Sequence, residues 1–179
     1  MLLRDANPSD FPQILQLNEA SVHFLSPLTP VRLEHLHKEA AYHRVLETGG
    51  NVAAFLLAFR EGCTYDSPNY RWFAENYDRF LYIDRIVVSV AYRGSGIGHR
   101  FYTDLFSFAR QTNASRVTCE FDIDPPNDLS RRFHERYGFI EVGTQSVASG
   151  KKQVSLQALS LEIERTATDN PASAAHVKR

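Results

Sequence analysis

Along this chain the apolar positions recur in two rhythms, one of period two and one near 3.6, and the two rarely overlap. The clearest period-two run is Val117 to Ile123. There Val117, Cys119, Phe121 and Ile123 face one way, and Thr118, Glu120 and Asp122 the other. A strand in this place carries two carboxylates, Glu120 and Asp122, on one face. Leu81 to Val90 predicts a second, buried strand, rich in the β-branched residues Ile86, Val87, Val88 and Val90. Val52 to Phe59 is apolar throughout, as in a strand covered on both faces. It belongs to a hairpin, residues 43–48 and 51–60, whose turn at Gly49-Gly50-Asn51 supplies positive-φ positions. Leu2 to Ala6 is a short strand candidate, and Phe139 to Val142 pairs with Gln153 to Leu161 across Ser149-Gly150.

The helical rhythm fills the intervals. Asn7-Pro8-Ser9-Asp10 reads as a helix start, and Phe11, Ile14, Leu15 and Val22 give a helix over residues 8–22 one apolar side. Thr29-Pro30 opens a second helix through Leu33, Leu36 and Ala40. Ile97, Phe101, Leu105 and Phe108 make the stripe of a third. In a last helix, residues 127–137, Leu129, Phe133 and Tyr137 face the core, while Asn127, Ser130 and His134 form a polar line. The predicted order is β-α-α-β-β-β-α-β-α-β-β: an α/β protein of α+β type, with one mixed sheet covered by helices, in one domain over residues 1–165. Residues 61–80 interrupt that order. Ser67-Pro68-Asn69 starts a short helix with Tyr70, Phe73 and Tyr77 on one face and Trp72 among them. This insertion reads as a lid over a binding site, a dimer contact, or an aromatic cluster on the sheet edge. The polar tail, Thr166 to Arg179, is expected to be mobile.

Composition narrows the classes of function. Hydrophobic residues at 43% and charged residues at 23% suit a soluble globular domain. A net charge of -1 argues against nucleic-acid and anionic-membrane partners, which want a basic surface. The longest apolar run is too short to span a bilayer, and Met1-Leu-Leu-Arg-Asp meets charge at once, so neither anchor nor secretory signal is expected. Cys63 and Cys119 lack disulfide or metal spacing, which predicts reduced thiols in a cytoplasmic setting. His35 and His37, two apart, would lie on different helix faces, so no metal site is expected.

The chemistry concentrates where the strand ending at Val90 turns through Tyr92-Arg93-Gly94-Ser95-Gly96-Ile97-Gly98 into a helix. Glycines let a backbone turn tightly and press its N–H groups on a ligand, and the following helix directs its unpaired N–H groups at the same place. With Arg93, this is a device for a polyphosphate. Glycines at 94, 96 and 98 are each two apart, which does not fit the dinucleotide spacing, and no Gly-Lys-Ser/Thr follows.

Arg93-x-x-Gly96-x-Gly98 resembles the acyl-CoA pyrophosphate loop of the GNAT superfamily of N-acetyltransferases, and Tyr92 before the arginine fits it too. Asn127, the helix after it and Gly138-Phe139 also resemble that superfamily, so the likeness covers about Leu81 to Val142. It implies a GNAT-like fold whose central strands splay apart around acetyl-CoA or another short acyl-CoA. The backbone of Ile86, Val87 and Val88 would pair with the pantetheine arm, and Arg93, Gly94, Ser95, Gly96, Ile97 and Gly98 would take the pyrophosphate. Asn127, Ser130 and His134 would lie along the cofactor. The implied reaction is direct attack of an amine on the thioester. The resemblance implies a Tyr as general acid three or four positions before the Gly of Gly-Phe; the residue four before Gly138 here is His134. Its imidazolium is therefore the candidate acid, with plain packing against cofactor as the alternative. Asp84, Glu120 and Asp122 are the candidate bases. The expected acceptor is a small primary amine or amino-acid-like molecule. A catalytically silent acyl-CoA sensor and a peptide N-acetyltransferase are the competing readings. Proteins of this kind often pair, so a homodimer is one expected assembly.

Overall fold

Seven strands form one sheet: β1 (Leu2–Asp5), β2 (Tyr42–Thr48), β3 (Asn51–Arg60), β4 (Phe80–Val88), β5 (Arg116–Asp124), β6 (Ile140–Val147) and β7 (Lys152–Ser160). Their order across the sheet is β1-β2-β3-β4-β5-β7-β6. Every neighbouring pair is antiparallel except β4 and β5, which are parallel. The helices are α1 (Phe11–Glu19), α2 (Pro30–Glu39), α3 (Pro68–Asn76), α4 (Ile97–Gln111) and α5 (Asp128–Glu135). This computed structural model describes residues 1–22 and 25–161; the expected tail, Thr166 to Arg179, lies outside the described residues.

The apolar run in β3 is explained by cover on both faces. Leu56 and Ala58 pack with Phe101, Tyr102 and Leu105 of α4. On the other face Phe55 packs with Ile14 of α1 and Leu33 of α2, and Phe59 with Tyr70 and Phe73 of α3. Alternate residues thus enter two different cores. Helix starts follow the expected caps. Asn7 and Asp10 form a reciprocal capping box, and the Arg4 guanidinium holds both Asp10 oxygens at 2.8 Å. Thr29, Ser67 and Asn127 each accept a backbone N–H of their own helix.

Several boundaries differ from expectation. The first helix is a single 3-10 turn, Pro8–Asp10, followed by α1, and it ends at Glu19, before Val22. The strand expected through Val90 stops at Val88, because the Ser89 amide makes the last bond to β3, at Ala53, and the chain then folds into a turn. Val90 is therefore exposed rather than buried. Leu129, expected in the core, is 70% exposed, while His134, expected on a polar line, is buried. The insertion adds α3 to the order. Its Tyr70 and Phe73 are core residues, Trp72 packs so closely on Gly143 of β6 that a Cβ there would lie 3.0 Å from the ring, and the Arg116 guanidinium sits 3.8 Å over Tyr77. These aromatic residues pack on the sheet, and of the insertion Tyr65, Ser67, Pro68 and Asn69 line a cavity.

One buried group sets an acid limit on this fold. His43 on β2 shares a 2.8 Å contact between its Nδ1 and that of His37, while its Nε2 has no partner. Burial first, and His37 second, push its pKa down to about 4. The unfolded chain takes up this proton near pH 6.5 and the folded one does not, so stability is intact above pH 6.5 and falls as pH drops toward 4. Urea unfolding at pH 4.5 is expected to show a loss of about 2–3 kcal/mol from this histidine relative to pH 7. His43→Gln should lose correspondingly less, and an equal loss in the variant would remove this assignment.

Candidate active site

Three residue pairs join β4 to β5: Phe80 with Arg116, Leu81 with Val117 and Tyr82 with Thr118. Beyond them the strands share no pairs, although β4 stays paired with β3 as far as Val88 and β5 with β7 as far as Asp124. The sheet therefore splits, leaving backbone edges of Ile83 to Val88 and of Cys119 to Asp124 free of each other. A cavity of about 730 Å³ occupies the split, in the size range of small-molecule sites. Its lining comes from both faces of the sheet. Gly98, Phe133 and His134 belong to the α4 and α5 side, and Tyr65, Asn69, Asp84 and Glu120 to the opposite side.

At the open end of the split the chain passes from β4 through its turn into α4. Gly94 and Gly96 have φ of +78° and +81°, backbone that favours glycine, and Gly96 is the N-cap of α4. No side chain caps this helix, unlike α2, α3 and α5, so its first-turn N–H groups stand available to an anion. Gly98 brings α4 against α5, since a Cβ there would lie 3.0 Å from the Phe133 ring. Arg93, exposed, lines the cavity beside this turn. A glycine cradle, an uncapped helix start and a guanidinium together fit a diphosphate.

The expected binding residues divide accordingly. Ile86, Val88, Arg93, Gly98, Asn127 and Ser130 line the cavity. Val87 turns its side chain into the core with Ile14 and Phe55, and Ile97 into the core with Phe101, so these two can offer only backbone. Ser95 spends its hydroxyl on the Tyr92 carbonyl at 2.5 Å. Asn127 spends its side-chain oxygen capping α5 at 3.2 Å from the Ser130 amide. His99 contacts the Tyr137 hydroxyl at 2.9 Å.

His134, the candidate acid, is buried, with both ring nitrogens in hydrogen bonds. Its Nδ1 lies 2.7 Å from the Ser130 carbonyl oxygen, which can only accept, so the ring proton sits on Nδ1. Nε2 then accepts from the buried Tyr102 hydroxyl at 2.8 Å. Burial pushes the imidazole down to about 4, with the Ser130 carbonyl opposing only in part. At neutral pH the ring is uncharged and both nitrogens are engaged, which leaves no imidazolium to protonate a thiolate. The ring stacks on Phe121 and meets Phe139 edge-on, so the helix face taken for a polar line is a packed one.

The carboxylates lie on the other face. In β4 the register slips, Ile83 opposing Ala58 and Arg85 opposing Leu57, so Asp84 is an extra, bulged residue. The bulge lets Arg85 Nε reach Asp84 Oδ2 at 2.5 Å, with both side chains nearly buried. Tyr65 donates to the other Asp84 oxygen, and Arg85 also holds Asn18 Oδ1 at 2.7 Å and the Ser26 carbonyl at 3.1 Å. Asp122 is paired with Lys152 Nζ at 2.7 Å. Glu120 differs from both. Tyr82 donates to its Oε1 at 3.0 Å, and its buried Oε2 has no hydrogen-bond partner among the described residues, although the Asn69 side chain is near enough to favour the charged carboxylate. Burial first, then the nearby Asp84 charge, push its pKa up to about 8, against smaller opposing effects of Tyr82, Asn69 and Arg85. Among the described residues, Asp84 and Asp122 each have a paired cation and Glu120 has none.

Sequence reasoning missed Tyr82, Tyr65, Arg85 and Lys152 as parts of this site. Tyr82 was within reach, since it shares a strand face with Asp84 two residues on. Arg85 was not, because only the bulge turns it toward its neighbour. Among the described residues no group of three or more His, Cys, Asp or Glu could hold a metal ion.

Comparison with known proteins agrees with this geometry. A search of curated proteins returned no match. Among solved structures, Ard1 from Thermoplasma volcanium superposes with a TM-score of 0.74 at 20% identity, covering 90% of this chain and 97% of its own. A GNAT-family acetyltransferase from Streptococcus pneumoniae gives 0.68 at 17% identity, covering 90% and 99%. The ribosomal-protein-S18-alanine N-acetyltransferase from Escherichia coli gives 0.67 at 15%, covering 92% and 97%. At these identities the likeness is one of fold. The family model described as "Acetyltransferase (GNAT) family" matches residues 7–139, which contain the split strands, the glycine turn and Glu120. The chain belongs to the GNAT acetyltransferase family.

Proposed function

We propose that the protein transfers the acetyl group of acetyl-CoA to a small primary amine or amino-acid-like acceptor, with Glu120 as the general base. The observation that carries this reading is the Glu120 carboxyl, buried at the split with one oxygen unpartnered, on the sheet face opposite the α4 and α5 side of the cavity. The cavity joins the two sides through the gap between β4 and β5. Arg93, the turn amides from Gly94 to Gly98 and the open edge of Ile86 to Val88 would hold the cofactor. Bound acetyl-CoA supplies an acetyl thioester as the electrophile.

The acceptor enters as an ammonium and gives one proton to Glu120, either directly or through a water. Its nitrogen then bonds to the thioester carbon, while donors on the free β4 edge steady the oxygen. The carbon–sulfur bond breaks, the thiolate leaves, and the surplus proton on the new amide nitrogen is lost to solvent. A thiol of pKa about 8.5 is a fair leaving group, so solvent can supply its proton without a side-chain acid. His134 then serves as a positioning residue, tying α5 to α4 through Tyr102. A second reading, a peptide N-terminus as acceptor, draws on the walls beside the cavity: the α1–α2 connection contributes Ser21 and Ser26, and the β6–β7 turn contributes Ala148. The Escherichia coli neighbour carries a protein acceptor in its name.

A screen of primary amines and short peptides with acetyl-CoA, read by free-thiol release, tests the reading; no release with any acceptor removes it. For the accepted substrate, kcat/KM should rise with pH through about 8, as Glu120 loses its proton. No limb should appear near the ordinary histidine value. Glu120→Gln should cut kcat by roughly 10²–10⁴-fold and abolish that rise. A variant that keeps the rise would assign the base elsewhere. Arg93→Ala should raise the Kd for acetyl-CoA about tenfold, with kcat nearly unchanged and the difference shrinking in high salt. Unchanged affinity would place the diphosphate away from the turn.

A further inference from the structure

The charges around the acceptor end of the cavity are arranged in pairs, with one exception. Asp84 is neutralised by Arg85, and Arg85 has its remaining contacts on Asn18 and the Ser26 carbonyl. Asp122 is neutralised by Lys152. His134, across the sheet, is held neutral by its burial. Arg93 stands at the other end, beside the glycine turn. The exception is Glu120, whose Oε2 is buried without a partner. A cationic amine docking there meets one unbalanced carboxylate. An anionic group on the same carbon would be brought up beside Glu120 and Asp84, both of which line the cavity. Among the described residues at that end it would meet Arg85 and Lys152, each already matched to a carboxylate, and breaking either pair would strand a buried charge.

From this arrangement we infer that the acceptor is a primary ammonium whose amine-bearing carbon carries no carboxylate, so that free α-amino acids are excluded while their amides, simple amines and chain N-termini are admitted. The inference deepens the proposed function and rests on Glu120 facing the acceptor. It narrows the acceptor class by electrostatics alone and leaves the side chain of the acceptor open. The neutral neighbours of Glu120, Tyr65, Tyr82 and Asn69, can accommodate an amide or a hydrogen where the carboxylate would be.

The test uses three probes that share one side chain: phenylalanine, phenylalaninamide and phenethylamine. Each is titrated calorimetrically into the full chain saturated with CoA at pH 8.5. The amide and the amine are expected to bind at least about tenfold more tightly than the acid. In Glu120→Gln the amide and amine should weaken, and the acid-to-amide ratio should move toward one. The acid binding as tightly as the amide, a ratio unchanged in the variant, or no binding by any of the three would each overturn the inference. Thiol release with acetyl-CoA is scored separately. Binding in the expected order without acetyl transfer would uphold the charge selection and remove the small-amine acetyltransferase reading. A phenylalanyl tripeptide amide forms a fourth arm. Stronger binding than phenylalaninamide assigns the ammonium to a chain terminus, equal binding assigns it to a free small molecule, and either result upholds the exclusion.

Discussion

The parallel pairing of β4 with β5 ends after three residue pairs, and most of the site follows from that. A sheet interior normally consumes its backbone hydrogen bonds, and an unpaired edge inside a protein is costly unless something else satisfies it. Here two such edges face each other across the split, held apart because each strand is bound on its outer side, β4 to β3 and β5 to β7. A ligand whose own amides can pair with a strand edge is the natural completion of such a gap. The fold thus stores an unsatisfied edge where a pantetheine arm would lie, and the glycine turn ending β4 sets an anion cradle at its mouth.

The same split explains why the two chemistries are kept apart. A residue of β4 or β5 points to one face of the sheet or the other. Ile83, Val117 and Cys119 join α4, whereas Tyr82 and Glu120 point toward α3 and the α1–α2 connection. The uncapped start of α4 and His134 are therefore on one side, and the carboxylates on the other. On the proposed mechanism, a proton taken up at Glu120 and a thiolate released toward α5 would not compete for one group. A neutral His134 costs the reaction little on this arrangement, since the face it occupies is asked to pack rather than to titrate.

Much of this was legible in residue order. The alternation at Val117 to Ile123 correctly places Glu120 and Asp122 together, and the glycine spacing correctly marks the turn between β4 and α4. What periodicity cannot report is which of two helix sides meets the sheet. Leu129 and His134 exchange their expected roles in α5, because Phe133 must fit against Gly98 and this rotation carries His134 inward to Tyr102 and Phe121. Bulges are similarly invisible. A strict two-residue alternation sends Asp84 and Arg85 to opposite faces, and only the slipped register opposite Leu57 and Ala58 lets them pair.

The Asp84–Arg85 pair also accounts for the high proton affinity of its neighbour. An ion pair closed on itself inside a protein contributes little net field, yet the carboxylate half lies nearer to Glu120 in effect, since Asp84 raises its pKa more than Arg85 lowers it. Were Arg85 turned to Glu120 instead, the carboxyl would be ionised throughout the neutral range and too weakly basic to relieve an ammonium of its proton. Arg85 is kept from doing so by Asn18 and Ser26, which draw its far end toward α1 and the α1–α2 connection. The α1–α2 connection, which walls that side of the cavity, therefore also leaves the Glu120 pKa high. Under the proposed mechanism, acceptor recognition and base strength would share one set of hydrogen bonds.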